Sequence, residues 1–144
     1  MKYHYIESGL RNVYLVNGFE VANTAYGKAT SVHDVTGLHR VIGLNLCLKK
    51  YLTGAEFRFI RKEMGLSQSG IGKTLGVTDQ AIAKWEKTGR VPKTADRFMR
   101  LLYLENINEN IKIQKYIDQI NETDREDHSK LVVEQTDTGW KQAA

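Results

Sequence analysis

A single cysteine, Cys47, stands among 144 residues, so no internal disulfide forms. No apolar run approaches the ~20 residues a membrane span requires, and no membrane partner is expected. The opening residues MKYHYIESG lack the basic-then-apolar layout of an export signal; with the lone cysteine this predicts a cytoplasmic protein. Internal repeats and low-complexity tracts are absent as well. What is present is a 41% hydrophobic composition, suited to one ordinary globular domain or one small domain flanked by a smaller one and a tail.

The net charge of +4 is modest and unevenly spread: residues 1–52 carry +3, residues 53–104 carry +5 and residues 105–144 carry −4. A basic middle beside an acidic end suits a polyanionic partner met by the middle. Taken alone, that charge is equally the mark of an ordinary solvated surface.

The first 52 residues read as β-rich, then helical. Asn17-Gly18 is a strong two-residue hairpin signal, because both positions tolerate positive φ. A loop there predicts pairing of Val16 with Phe19 and of Tyr14 with Val21. Residues 28–35 supply a further strand. From Leu38 to Leu52 the leucines, Val41 and Ile42 surround most of a helical cylinder, which predicts a helix covered on several sides, either as a packing link or as a dimer contact.

Residues 53–104 form a run of short, well-punctuated helices. Thr53 and Glu56 make a capping box in front of a stripe of Phe57, Ile60 and Met64 that stops near Gly65. Ser67 caps a second helix carrying Ile71 and Leu75 and ending at Gly76. Thr78 caps a third, running from Asp79 to Lys87, with Ile82 and Trp85 inward and Gly89 beyond it. The only proline, Pro92, sits near the start of a fourth helix holding Phe98, Leu101 and Leu102. Isoleucines 107, 111, 113, 117 and 120 continue a helical pattern over 105–122. Residues 123–144 read as a flexible acidic tail, in which Lys130–Glu134 and Trp140 form a patch fit to dock.

The stretch from Leu66 to Lys87 closely resembles the phage-repressor (Xre-type) helix-turn-helix family. Ser67-Gln68, Leu75-Gly76-Val77, Ile82, Trp85-Glu86, Gly89 and Pro92 match that family's pattern, and the resemblance covers residues 53–104. Gly70-Ile71-Gly72 departs from it, since helix formers usually stand there; each glycine costs ~1 kcal/mol against alanine inside a helix. The resemblance implies a mainly α fold: a four- to five-helix Xre-type domain, with a small β-rich N-terminal region and a C-terminal helix beside it. It also implies duplex DNA as partner. Asp79, Gln80, Ala81 and Lys84 fall on the outer face at the start of the third helix, where a recognition helix meets base edges. Gln bonds bidentately to adenine, Lys donates to guanine and Asp accepts from cytosine. By the same resemblance Gln68, Lys87 and Arg90 lie beside phosphates, and Thr78 joins the DNA-binding set. Trp85 reads as core.

A β-rich N-terminal piece joined to such a domain is also similar in architecture to the MqsA-like and HigA-like antitoxins. In the MqsA-like proteins two Cys-x-x-Cys pairs hold zinc in the N-terminal domain. This sequence has neither pair, so no metal site and no cofactor carry over.

Other chemistry finds little support. Ser67-Gln-Ser-Gly-Ile-Gly-Lys73-Thr74 approaches a P-loop, but Ser67 replaces its first glycine and no strand precedes it. His4, His33, His39, His128 and Cys47 match no compact zinc spacing, and no activated nucleophile accompanies His33, Asp34 and His39. No enzyme is expected. The expected function is a sequence-specific DNA-binding repressor, a homodimer on a palindromic operator. Two versions remain open: an autoregulating antitoxin whose residues 1–35 bind a toxin, and a plain repressor whose N-terminal region dimerises or senses a ligand.

Overall fold

The computed structural model describes residues 2–107 and 130–143. The chain divides into two compact units, one formed by residues 2–42 together with 130–143, the other beginning at residue 43.

The first unit is built on a four-stranded sheet in the order β1-β2-β5-β6, from β1 (Tyr3–His4), β2 (Val13–Leu15), β5 (Leu131–Thr136) and β6 (Gly139–Gln142). Strand β2 pairs antiparallel with β1 and parallel with β5, Val13 opposite Leu131 and Leu15 opposite Val133. The period-2 alternation buries Val13, Leu15, Leu131 and Val133 and turns Tyr14 to the other face. There the Tyr14 ring stacks on His4 at 4.4 Å and carries Lys130 Nζ at 4.7 Å from its centroid. Trp140 closes the core and donates its indole N–H to the Asp34 carbonyl at 3.1 Å. Strands β3 (Phe19–Thr24) and β4 (Gly27–Val32) form a separate antiparallel ribbon, exposed along most of its length.

Two expectations for this region are corrected. Asn17-Gly18 is a corner between the two sheets, not a hairpin loop, and neither Val16–Phe19 nor Tyr14–Val21 pairs. The Asn17 amide holds the backbone of Gln135 from both sides, accepting its N–H at 2.6 Å and donating to its carbonyl at 3.2 Å. Val16 N–H donates to Val133, so the chain before the corner is committed to β5. Gly18, at φ +77°, then turns beneath the Trp140 ring, in space that a Cβ would fill. The second correction concerns the expected flexible tail over 123–144. Its described part is the β5–β6 hairpin, and the apolar patch at 131–133 docks on β2 of the same chain.

Helix α1 (Val35–Leu46) begins in the first unit and ends in the second. It stops six residues short of the expected Leu52. Leu48 and Lys49 close 3-10-type bonds to Asn45 and Leu46. Beyond them the backbone is held by a side chain: the fully buried Arg100 guanidinium donates to the carbonyls of Cys47, Lys49 and Lys50. Those carbonyls serve Arg100 instead of a longer helix.

Four further helices make up the described part of the second unit: α2 (Gly54–Glu63), α3 (Gln68–Leu75), α4 (Asp79–Thr88) and α5 (Lys93–Asn106). Phe57, Ile60, Ile71, Ile82, Met99 and Tyr103 fill its core. Asp96 pairs with Arg100 and accepts the Leu52 N–H at 2.6 Å, while Lys49 forks onto both oxygens of Glu56 at 2.7 and 2.9 Å. Both pairs are buried, and each joins residues 49–52 to a helix; breaking such a pair costs roughly 3–5 kcal/mol. The unit therefore starts at residue 43, ahead of the expected boundary at 53. Of the isoleucine helix expected over 105–122, residues 105 and 106 end α5 and residues 108–122 lie outside the described residues.

Candidate nucleic-acid interface

The pair α3–α4 is set by caps at each end. Ser67 Oγ accepts the Gly70 N–H, and Thr78 Oγ1 accepts the Ala81 N–H. Between the helices Gly76 is left-handed at φ +75°, and Val77 N–H bonds back to the Gly72 carbonyl at 2.8 Å. Gly72 is the departure from the family pattern with a visible cause: a Cβ there would stand 2.7 Å from the Val77 carbonyl oxygen. Absence of a side chain lets the turn fold flat on α3. Gly70 meets nothing closer than Ser67 Oγ at 3.3 Å.

A charged clamp fixes α4 against α2 and α3. Arg61 of α2 donates Nε and Nη2 to the two carboxylate oxygens of Glu86 at 2.8 and 3.0 Å, and Nη1 to the Leu66 carbonyl at 2.9 Å. Gln68 of α3 adds its amide N–H to Glu86 at 3.2 Å. This bidentate fork is nearly buried on both sides. Trp85 meets Phe57 edge-on with ring centroids 6.1 Å apart, and it is half-buried.

With Ile82 buried, the other side of α4 faces solvent. Asp79, Gln80, Lys84 and Lys87 are exposed, and Gln80, Lys84 and Lys87 follow at helical steps of four and three. Ala81 is half-buried. Arg90 is exposed in the loop after α4. Within the expected set, these residues gather at the first turns and outer face of α4 and just beyond its end. Two members have internal work. Thr78 is spent as the cap, and the Gln68 amide is turned to Glu86. Asp79 Oδ1 also accepts the Gln80 N–H at 2.9 Å, which leaves its second oxygen for another partner.

Sequence reasoning missed Glu86 and Arg61 as the parts that orient this surface, and it missed Lys93, exposed beside Arg90 at the start of α5. The run Gly89-Arg90-Val91-Pro92-Lys93 was the available signal for Lys93. Arg61 carried none, because its partner lies 25 residues on.

The three described histidines are dispersed among other contacts, and His128 lies outside the described residues. His4 Nε2 meets the Arg11 carbonyl at 2.7 Å, His39 Nε2 the Tyr5 hydroxyl at 2.8 Å, and His33 lies 3.7 Å from Glu20. Among the described residues no helix is long and apolar enough to cross a membrane.

Residues 57–100, from the second turn of α2 into α5, match the helix-turn-helix family. No curated protein and no solved structure matches the chain. The matched segment contains the whole capped α3–α4 pair, and it supports a DNA-binding transcriptional regulator, a class that is typically non-enzymatic.

Proposed function

We propose that the chain is a sequence-specific repressor that lays the start of α4 in the major groove of duplex DNA. One observation carries this reading: α4 is pinned from behind by Ile82 and the Glu86–Arg61 clamp while Asp79, Gln80 and Lys84 face solvent. Gln80 and Lys84 read base edges, Asp79 accepts from cytosine, and Ala81 offers a methyl for contact with thymine. Lys87 and Arg90 lie along the phosphates and set register, while Thr78 and Gln68 serve the same surface indirectly, as the cap of α4 and as a partner of Glu86. A homodimer on a palindromic operator follows from half-sites about one helical turn, ~34 Å, apart. Selection from a random duplex library tests the reading. It should yield a two-fold-symmetric site whose affinity falls steeply with salt; recovery of no common sequence would refute it.

The antitoxin version draws support from the β3–β4 ribbon, which exposes Val21 and a fully exposed Tyr26. In this chain β5 pairs with β2 and carries Leu131 and Val133 into the core of the first unit. Co-purification of a neighbouring reading frame's product with the chain, lost on Tyr26→Asp, separates this version from a plain repressor.

A further inference from the structure

A cavity of about 390 Å³ opens beside the reading surface, between residues 50–52 and the loop that leads from α4 into α5. That volume is within the range of small-molecule sites. Its lining charge is one-sided. Among the described residues that line it, the cations Arg90, Lys93, Arg97 and Arg100 and the partnered Lys50 stand with one carboxylate, Asp96, which is already paired with Arg100. Like charges gathered around one space repel, and an anion placed among them relieves the repulsion. Arg97 Nε is also buried with no hydrogen-bond partner among the described residues. A buried donor left unmatched is costly, so Arg97 gains from any acceptor its guanidinium can turn to.

The rest of the lining decides what kind of anion fits. Tyr51, Leu52 and Val91 give the cavity an apolar wall. An inorganic ion satisfies the arginines and leaves that wall uncovered. The cavity also reaches inward, past the exposed Lys50, Arg90 and Lys93, to Asp96 and Arg100, both buried. We infer that this cavity binds a small organic oxyanion, a phosphate monoester or carboxylate on an aromatic or aliphatic body, and that its occupation weakens DNA binding. The oxyanion sits on the Arg97 guanidinium and Lys93, and the body lies against Tyr51, Leu52 and Val91. The second half of the inference rests on the proposed DNA-binding role, because Arg90 serves both the cavity and the phosphates.

Phenyl phosphate is the probe, titrated calorimetrically into the full chain without DNA, with inorganic phosphate and phenol as comparisons at fixed ionic strength. Saturable binding is expected, about tenfold tighter than for inorganic phosphate because a phenyl body is buried, and absent for phenol. Arg97→Gln and, separately, the exposed Lys93→Gln should each weaken it by about tenfold. The lysine variant keeps the test decisive if the arginine variant does not fold. No saturable binding, equal affinity for inorganic phosphate, or unchanged affinity in a folded variant overturns the site. A second titration follows binding of the selected duplex with and without saturating phenyl phosphate. Weakened duplex binding supports the coupling, and unchanged binding overturns it. A chain that binds phenyl phosphate but no duplex refutes the DNA-binding role and leaves the site standing.

Discussion

At the scale of single residues, the position of α4 rests on Glu86. Its carboxylate holds the Arg61 fork and the Gln68 amide, so removing it strands a nearly buried cation and an amide donor together. Glu86→Ala is expected to lose roughly 3–5 kcal/mol, much of the stability of a small domain. Denaturant melting of the full chain measures it, and a loss near that of a surface substitution would rule the clamp out as a fixture. Trp85 behaves differently from the core residue its motif suggests. It is half-buried, so Trp85→Ala should cost less than the ~3–5 kcal/mol of a fully buried aromatic and leave a folded domain by circular dichroism. The Trp85-Glu86 pair was legible as a motif. The division of labour within it was not, since Arg61 reads in sequence as one more solvated cation. Arg100 was hidden in the same way, because a basic residue on an amphipathic helix gives no sign that it is fully buried.

At the scale of elements, local chemistry was readable wherever the partners are local. Thr53, Ser67 and Thr78 cap the helices their spacing assigns to them, and Gly76 and Gly89 end α3 and α4 in left-handed geometry. Elements whose partners are distant were misread. The Asn17 amide is claimed by Gln135, 118 residues away, and the end of α1 by Arg100, about fifty residues on. The final strands looked like a tail because β5 finds its partner, β2, near the other end of the chain. Gly72 shows local propensity losing to packing. Alanine is the better helix former by ~1 kcal/mol, yet Gly72→Ala is expected to lower the melting temperature because its Cβ meets the Val77 carbonyl. Gly70→Ala, which meets only the Ser67 hydroxyl, should be milder. A stabilised Gly72→Ala protein would show that the α3–α4 turn has slack.

At the scale of the whole molecule, the fragment that folds alone is set by the buried pairs of residues 49–52. A chain of residues 43–127 keeps Lys49 with Glu56, Leu52 with Asp96 and the carbonyls that Arg100 needs. A chain of residues 53–127 loses all of them and leaves Arg100 with Asp96 alone. The longer fragment should melt cooperatively as a helical domain, and the shorter one should be markedly less stable or unfolded. Equal stability of the two would return the boundary to residue 53.

The central claim is that α4 reads base edges, and Gln80→Ala tests it most directly. Gln80 is exposed, one helical turn before Lys84 on the side away from Ile82, so its loss should not disturb the fold. Binding is measured on the selected duplex and on each single-base mismatch, for Gln80→Ala and for Arg90→Ala. Gln80→Ala should lose ~1–3 kcal/mol on the best site and relax discrimination at one base pair. Arg90→Ala should weaken every duplex alike and lower the slope of log affinity against log salt by about one. Full discrimination by Gln80→Ala at every base pair would contradict the account and assign recognition to another face of the protein.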